Sequence, residues 1–406
     1  MTTNAPRAAP GERGILLTAR ACRGLADGLV SLILPIYLLA LGYGPFEAGL
    51  LATATLAGSA VLTLVVGLHA HRATGRSLLM LASVLMLLTG LVFAFEQDFW
   101  PLLLAAFLGT LNPSSGDVSV FLPLEQAQLA HAVAHRERTR VFAQYSFVGS
   151  IASATGALCA GLPELIATSG GVPERRALQA VFLLYAVVGA IVLLLYARLP
   201  RAVAPHTDSR GPQPLGRSRR IVLTLAALFS LDSFAGGFVV QSLLALWLFE
   251  RFGLSLAATG AIFFWTGILA GFSYFAAVRI SERIGLIRTM VFTHVPANLC
   301  LILVAFAPSL SIAVALLLIR SALSQMDVPT RTSYVMAVVT PGERAAAASV
   351  TAVPRSLAAA ASPIMAGSLL ATSGFGWPLV ICGGLKILYD LLLLAMFRNL
   401  RPPEEQ

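Results

Sequence analysis

Charged residues are scarce in this chain. Of its 406 residues only 12% are charged, 57% are hydrophobic, and the mean hydropathy is +0.82. In soluble globular domains about a quarter of the residues are charged. A chain with so little charge cannot cover its surface with hydrated groups, so we expect it to lie in a lipid bilayer.

Lysine and cysteine are also rare. Lys386 is the only lysine, and it lies between Leu385 and Ile387, which excludes a Gly-x-x-x-x-Gly-Lys-Ser/Thr nucleotide site. The four cysteines lie in separate apolar runs without Cys-x-x-Cys spacing, which argues against a disulfide framework or a thiolate metal site. We therefore expect no metal, no cofactor and no hydrolysis of ATP.

The net charge of +9 comes from arginines in short segments between apolar runs. Arginine in short loops marks the cytoplasmic side of membrane proteins, which explains the excess without a nucleic acid partner. Only Arg175, Arg176 and Arg251 fall on the other side. We expect both termini in the cytoplasm and an even number of spans. The preference for arginine over lysine is typical of a GC-rich bacterial genome and indicates the bacterial inner membrane.

Apolar runs long enough to cross the hydrocarbon core, which needs about 20 helical residues, recur along the chain. They cover residues 15–41, 45–69, 77–96, 100–130, 140–162, 178–198, 220–250, 256–279, 287–307, 309–339, 343–370 and 376–398. Two of them, 100–130 and 309–339, exceed one span, so we expect an amphipathic turn at one end of each. The sequence predicts an all-α polytopic membrane protein with 12 transmembrane helices.

A polar, arginine-rich break near the middle of the chain divides these spans into two sets of six. The predicted domains are a disordered cytoplasmic N-terminus (1–14), an N-terminal six-helix bundle (15–198), a cytoplasmic linker (199–219), a C-terminal six-helix bundle (220–398) and a cytoplasmic tail (399–406).

The two halves contain matching residues in the same order. Gly28 matches Gly237 at a separation of 209 positions, Gly75 matches Gly285 and Asp117 matches Asp327 at 210, and Glu137 matches Glu343 at 206. A repeat after six spans keeps its orientation in the membrane. We therefore expect two parallel-repeat six-helix bundles around a central cavity.

Twelve spans, a parallel six-plus-six repeat and a basic central loop resemble the major facilitator superfamily over the whole chain. The signature of that family between helices 2 and 3, Gly-x-x-x-Asp-Arg-x-Gly-Arg-Arg, is similar to residues 67–76, with one inserted residue and a histidine in place of the aspartate. The second copy, residues 279–288, is closer. The resemblance implies a cytoplasmic gate formed by His71, Arg72, Gly75, Glu282, Arg283 and Gly285.

The resemblance also implies a function. Members of the superfamily are secondary active transporters that work by alternating access, so we expect a monomer in the lipid bilayer that moves a small-molecule substrate together with protons. Export of a small amphipathic molecule is our main expectation. The alternative is uptake of a small organic acid or other metabolite, with Arg20, Arg23 and Arg320 as anion contacts. A polytopic membrane enzyme or a receptor is less favoured, because the chain has neither a catalytic motif nor a folded extramembrane domain.

Charged residues inside the spans are the candidate functional residues, because each costs roughly 2.5 kcal/mol or more at the bilayer centre. The predicted translocation path and coupling residues are Asp117, Asp232, Asp27, Asp327, Arg20, Arg23 and Arg320. They fall on helices 1, 4, 7 and 10, which line the cavity in the superfamily. Asp117 and Asp232 have no basic residue three or four positions away in their own helices. We therefore predict these two as proton carriers, with Asp27 and Asp327 next.

Helical spacing predicts which charges pair within one helix. Residues four apart share a helix face, which favours the pairs Arg23–Asp27, Asp327–Arg331 and Lys386–Asp390. The repeat also places Arg23 at the position equivalent to Asp232, and a pair between those two would remove Asp232 as a proton carrier. Glu125, near the predicted cytoplasmic end of helix 4, is interpreted as a solvated side chain.

Overall fold

A computed structural model describes most of the chain, and its regular secondary structure there is entirely helical. The described residues are 10–69, 74–114, 119–132, 138–200, 216, 218–339 and 343–397. Within these ranges nine helical segments are long and apolar enough to cross a membrane, and two shorter apolar helices accompany them. The expectation of an all-α polytopic membrane protein is therefore confirmed.

The helices of the N-terminal half form six spans. They are α1 (Pro10–Ala40), α2 (Pro45–His69), α3 (Gly75–Phe95), α4 (Phe99–Leu108), α5 (Phe121–Ala132), α6 (Arg138–Leu158), α7 (Leu162–Gly170) and α8 (Glu174–Ala197). The helix pairs α4–α5 and α6–α7 each make up one span. A short 3-10 turn, Cys159–Gly161, joins α6 to α7.

The C-terminal half also forms six spans. Its helices are α9 (Arg219–Gly237), α10 (Gln241–Phe252), α11 (Leu256–Ile284), α12 (Leu286–Ala305), α13 (Leu310–Ser324), α14 (Asp327–Val338), α15 (Arg344–Ala361), α16 (Pro363–Thr372) and α17 (Trp377–Phe397). Here the pairs α9–α10, α13–α14 and α15–α16 each make up one span.

The two longest apolar runs contradict the expectation of an amphipathic turn at one end, because each breaks in its interior. The first is interrupted between α4 and α5, and the second between α13 and α14. Pro123 and Pro329 are the third residues of the helices that follow these breaks. Proline has no N–H and fits the first turn of a helix, where the amide donors are unpaired. The sequence favours a new helix start at both places.

Contacts along the chain define two compact units. Unit 1 comprises Met1–Tyr43, Ala54–His206 and Ser255–Phe264, and unit 2 comprises Gly44–Thr53, Thr207–Leu254 and Trp265–Gln406. The domain boundaries that we drew from the sequence stay a prediction.

Matching glycines bring helices together in both units. In unit 1, α1 packs along α6, and a Cβ at Gly28 would overlap the carbonyl of Ser153. In unit 2, α9 packs along α15, and a Cβ at Gly237 would overlap the carbonyl of Ala359. Small residues allow helix backbones to approach closely in membranes. The repeat seen in the sequence thus produces the same helix crossing twice.

An apolar cluster fills one part of unit 2. It joins α9, α12, α14, α15 and α17 through buried side chains that include Val222, Leu225, Met290, Tyr334, Val335, Ala347, Tyr389, Leu393 and Phe397. Four of these helices, α9, α14, α15 and α17, also carry Asp232, Asp327, Arg331, Arg355 and Lys386. The cluster therefore fixes the helices that position those charges.

Candidate functional site

Each unit contains a group of charged side chains within its spans. The unit 1 charge cluster comprises Arg20, Arg23 and Asp27 of α1, Glu125 of α5, Tyr145 of α6 and Tyr196 of α8. Its central contact is an ion pair between Arg23 and Glu125, whose side chains are 1% and 0% exposed. Burial of both charges away from water makes this pair dependent on the hydrogen bonds around it.

Those hydrogen bonds saturate the Glu125 carboxylate. The Tyr196 hydroxyl donates to Oε1 at 2.6 Å, and the Tyr145 hydroxyl donates to Oε2. The Arg23 guanidinium also lies over the ring of Phe121, 4.1 Å from the ring centre. The interpretation of Glu125 as a solvated side chain was wrong. The break before α5 places it early in a buried helix, where three side chains from other helices reach it.

Asp27 is the acid of this cluster that lacks a partner. It is only 7% exposed, and among the residues that the structure describes it forms no hydrogen bond or ion pair. The predicted Arg23–Asp27 pair is absent because Arg23 turns to Glu125. Its other cationic neighbour, Arg20, lies 5.0 Å from the centre of the Tyr145 ring. Asp27 is therefore a buried carboxylate that forms no ion pair with a cation in the described part of the chain.

The unit 2 charge cluster comprises Asp232 and Ser233 of α9, Asp327 and Arg331 of α14, Arg355 of α15 and Lys386 of α17. Two cations share Asp232. Lys386 Nζ lies 2.6 Å from its Oδ1, and Arg331 Nη1 lies 3.0 Å from its Oδ2. Asp232 has no basic residue three or four positions away in its own helix, as predicted, but both of its partners come from other helices. The predicted Asp327–Arg331 pair is confirmed at 3.4 Å.

The predicted Lys386–Asp390 pair was wrong. Lys386 reaches across to Asp232 of α9, and the Asp390 carboxylate instead lies 3.0 and 3.1 Å from Nδ1 of His294. His294 was not among the residues that the sequence predicted for the site. Its signal was present, since an ionisable residue in the middle of an apolar span is rare and usually has a polar partner.

Arg355 and Arg320, which lie inside the spans of unit 2, have no carboxylate partner within the described part of the chain. Arg355 Nε donates to Ser233 Oγ at 2.9 Å, and its side chain is exposed. Arg320 Nε is buried without a hydrogen-bond partner among the described residues. The titratable groups that influence its guanidinium are the thiols of Cys300 and Cys382. The two units therefore differ in how completely they balance their charges.

The residues predicted to form a gate are only partly described. His71 and Arg72 lie outside the described residues, as does the predicted proton carrier Asp117. Gly75 begins α3, where a Cβ would overlap the side chain of Gln128. Gly285 has a φ of +84°, a conformation that favours glycine, between α11 and α12. Glu282 and Arg283 are exposed at the end of α11. A gating role for these residues stays a prediction.

Repeated bundles of membrane-spanning helices with charged residues inside their spans define a polytopic transporter fold. A sequence profile of the Major Facilitator Superfamily matches residues 16–326 and 226–406. The chain belongs to this superfamily. It is therefore a multi-pass membrane protein of a transporter family, and the expected fold of 12 helices in two repeats is confirmed.

Similar proteins come from both sequence and structure. An uncharacterized membrane protein of Saccharomyces cerevisiae is 27% identical over 410 residues, which cover 92% of this chain and 91% of the relative. The xylose transporter XylE from E. coli, in a partially occluded inward-open conformation, is 15% identical with a TM-score of 0.74 and coverage of 97% and 99%. The nucleoside transporter NupG is 16% identical with a TM-score of 0.71 and coverage of 95% and 99%. Because this sequence relative is from yeast, the bacterial inner membrane stays a prediction.

Proposed function

We propose that this chain is a secondary active transporter that moves a small molecule by alternating access and couples that movement to protons. The observation that supports proton coupling is the buried, unpaired carboxylate of Asp27. A coupled transporter needs a group within its spans that gains and loses a proton during the cycle. An ionised carboxylate is costly to bury unless it is paired and hydrogen-bonded. Asp27 fits this requirement better than the other described acids of the two clusters.

Arg23 provides a way for that proton to change the structure of unit 1. Arg23 is paired with Glu125 in the structure, and we assign this arrangement to the state in which Asp27 is protonated. When Asp27 loses its proton, its negative charge competes for Arg23, which lies four residues earlier on the same face of α1. Arg23 then exchanges between two carboxylates on different helices. Proton binding at Asp27 would thereby alter the attachment of α1 to α5.

Asp232 is less suited than Asp27 to carry a proton, because two cations pair with its carboxylate. Protonation of Asp232 would leave Lys386 without its carboxylate and Arg331 with Asp327 alone. Removing one partner of a buried ion pair costs about 3–5 kcal/mol, so Asp232 keeps its charge. Asp117, which lies outside the described residues, stays a prediction.

Purified protein in proteoliposomes with a pH-sensitive dye tests this function. We expect the wild type to show proton flux that depends on its solute, and Asp27→Asn to abolish it while leaving expression intact. Glu164→Gln is the matched control, because Glu164 is an exposed acid of α7. Solute-dependent proton flux that persists in Asp27→Asn would contradict the assignment of the carrier.

For the direction of transport we propose export of a small amphipathic molecule, with uptake of a small organic acid or other metabolite as the alternative. A deletion strain screened against toxic compounds and carbon sources separates them and supplies the solute. Sensitivity to a toxic compound supports export. Loss of growth on a carbon source supports uptake and contradicts export.

A further inference from the structure

The balance of charge differs between the two clusters. In unit 1 two cations face two carboxylates, and these are Arg20, Arg23, Asp27 and Glu125. In unit 2 three cations face two carboxylates, and these are Arg331, Arg355, Lys386, Asp232 and Asp327. The unit 2 charge cluster therefore contains one cation more than it has carboxylates.

Arg355 is the cation left over. Its Nε donates to Ser233 Oγ at 2.9 Å, and no carboxylate in the described part of the chain lies within salt-bridge distance. Helix α15 contains no acidic residue, and α9, α14 and α17 contain only Asp232, Asp327 and Asp390. The first two are held by Lys386 and Arg331, and the third lies against His294 on α12. No other acid of these four helices can pair with Arg355.

The side chain of Arg355 is exposed although the residue lies near the middle of a membrane span. It lies eleven residues after the start of α15 at Arg344, which corresponds to about 16 Å along the helix. That is about half of the hydrocarbon core. A cation facing lipid at this depth costs about 2.5–3.5 kcal/mol on insertion scales, whereas one facing a water-filled path avoids that cost. Exposure of Arg355 therefore favours a polar path over lipid.

The same helix crossing in unit 1 has a glycine at the position of Arg355. Gly24 and Gly149 occupy the positions equivalent to Ser233 and Arg355, at separations of 209 (233 − 24) and 206 (355 − 149). A Cβ at Gly24 would lie 3.0 Å from the carbonyl oxygen of Gly149, so the two backbones meet directly. In unit 1 the guanidinium that lies against Gly149 belongs to Arg20 of α1, whereas in unit 2 α15 itself carries the guanidinium, and Ser233 of α9 binds it.

We propose that Arg355, positioned by Ser233, binds an acidic group of the transported solute, either a carboxylate or a phosphate. Because Ser233 engages Nε, the two terminal nitrogens stay without a hydrogen-bond partner among the described residues. Such a guanidinium fork binds carboxylate and phosphate oxygens in pairs. The bound anion also neutralises the excess charge of the unit 2 charge cluster. This substrate class rests on the proposed transport function. An amphipathic organic acid fits both the proposed export of an amphipathic molecule and the proposed anion contact at Arg355.

Ligand-induced thermal stabilisation of the full chain tests the proposal without transport. The protein is placed in phosphatidylcholine nanodiscs with benzoate, glutarate or inorganic phosphate, and with benzamide or glutaramide as neutral counterparts. We expect at least one anion to raise the unfolding midpoint and its neutral counterpart not to do so. Arg355→Gln should weaken the apparent affinity about tenfold to hundredfold, since hydrogen bonds to a charged group contribute about 1.5–3 kcal/mol.

Further variants separate binding from damage to the fold. Arg355→Lys should keep part of the effect, because the charge remains while the fork is lost. Ser233→Ala should weaken binding by a smaller factor, and Arg288→Gln, at an exposed arginine of α12, should leave it unchanged. Anion binding that is unchanged in Arg355→Gln would overturn the proposal. So would equal stabilisation by the neutral compounds, or no stabilisation by any anion.

A phosphate bound at Arg355 could belong to a solute or to a lipid headgroup, and a change of the nanodisc lipid distinguishes the two. If phosphatidylglycerol nanodiscs alone stabilise the wild type but not Arg355→Gln, Arg355 binds a lipid headgroup and the proposal is overturned. Anion binding through Arg355 in a protein without solute-dependent proton flux would support this site and contradict the proposed proton coupling.

Discussion

The two units bury charge inside their spans in opposite ways. In unit 1 one arginine, Arg23, meets one carboxylate, and a second carboxylate, Asp27, is left unpaired. In unit 2 one carboxylate, Asp232, meets two cations, and a further cation, Arg355, is left without an acid. Arg23 and Asp232 occupy equivalent positions of the repeat. The same helix crossings therefore support a site suited to proton exchange in one unit and a site suited to anion binding in the other.

The largest effect on stability should come from Asp232→Asn. This change leaves Lys386 unpaired in a buried position and weakens the attachment of Arg331. Removal of one partner from a buried ion pair costs about 3–5 kcal/mol, so we expect a loss of that size in the free energy of unfolding, measured in mixed detergent micelles.

A second substitution tests the cause of that loss. If the unpaired ammonium is responsible, adding Lys386→Met to Asp232→Asn should restore part of the stability. A double variant no more stable than Asp232→Asn alone would show that Lys386 does not depend on Asp232.

Glu125→Gln should have a smaller effect, although Glu125 is as deeply buried. The amide oxygen can still accept a hydrogen bond from one tyrosine, the amide NH2 can donate to the hydroxyl oxygen of the other, and Arg23 can turn to Asp27. We expect a loss of about 1–3 kcal/mol in the free energy of unfolding. Adding Asp27→Asn should increase the loss, because both acids near Arg23 are then gone. If Glu125→Gln lowers the free energy of unfolding as much as Asp232→Asn does, the expected difference between the two charge clusters is contradicted.

Local patterns in the sequence were sufficient to predict much of the fold. Apolar runs predicted the spans, the match of Gly28 to Gly237 was part of the predicted repeat, and four-residue spacing predicted the Asp327–Arg331 pair. Each of these depends on residues close in sequence or on a fixed offset between the halves.

Partners from different helices could not be predicted in that way. Lys386 and Asp232 are 154 positions apart, and no helical spacing relates them. Glu125 was misread because the helix break that turns it inward was not recognised, although Pro123 marks the new helix start. The excess cation of the unit 2 charge cluster could not be predicted either, because the count depends on which charges from different helices lie together. It emerges only when each charge is placed with its neighbours.

The measurement that most directly tests the division between the two units is a pH-difference infrared spectrum of the full chain in nanodiscs. A protonated carboxyl group without hydrogen bonds absorbs at a higher frequency than a hydrated one. We predict that acidification of the wild type produces such a band, that Glu125→Gln retains it, and that Asp27→Asn lacks it. A band that survives in Asp27→Asn would show that another acid takes up the proton, and would contradict the role assigned to unit 1.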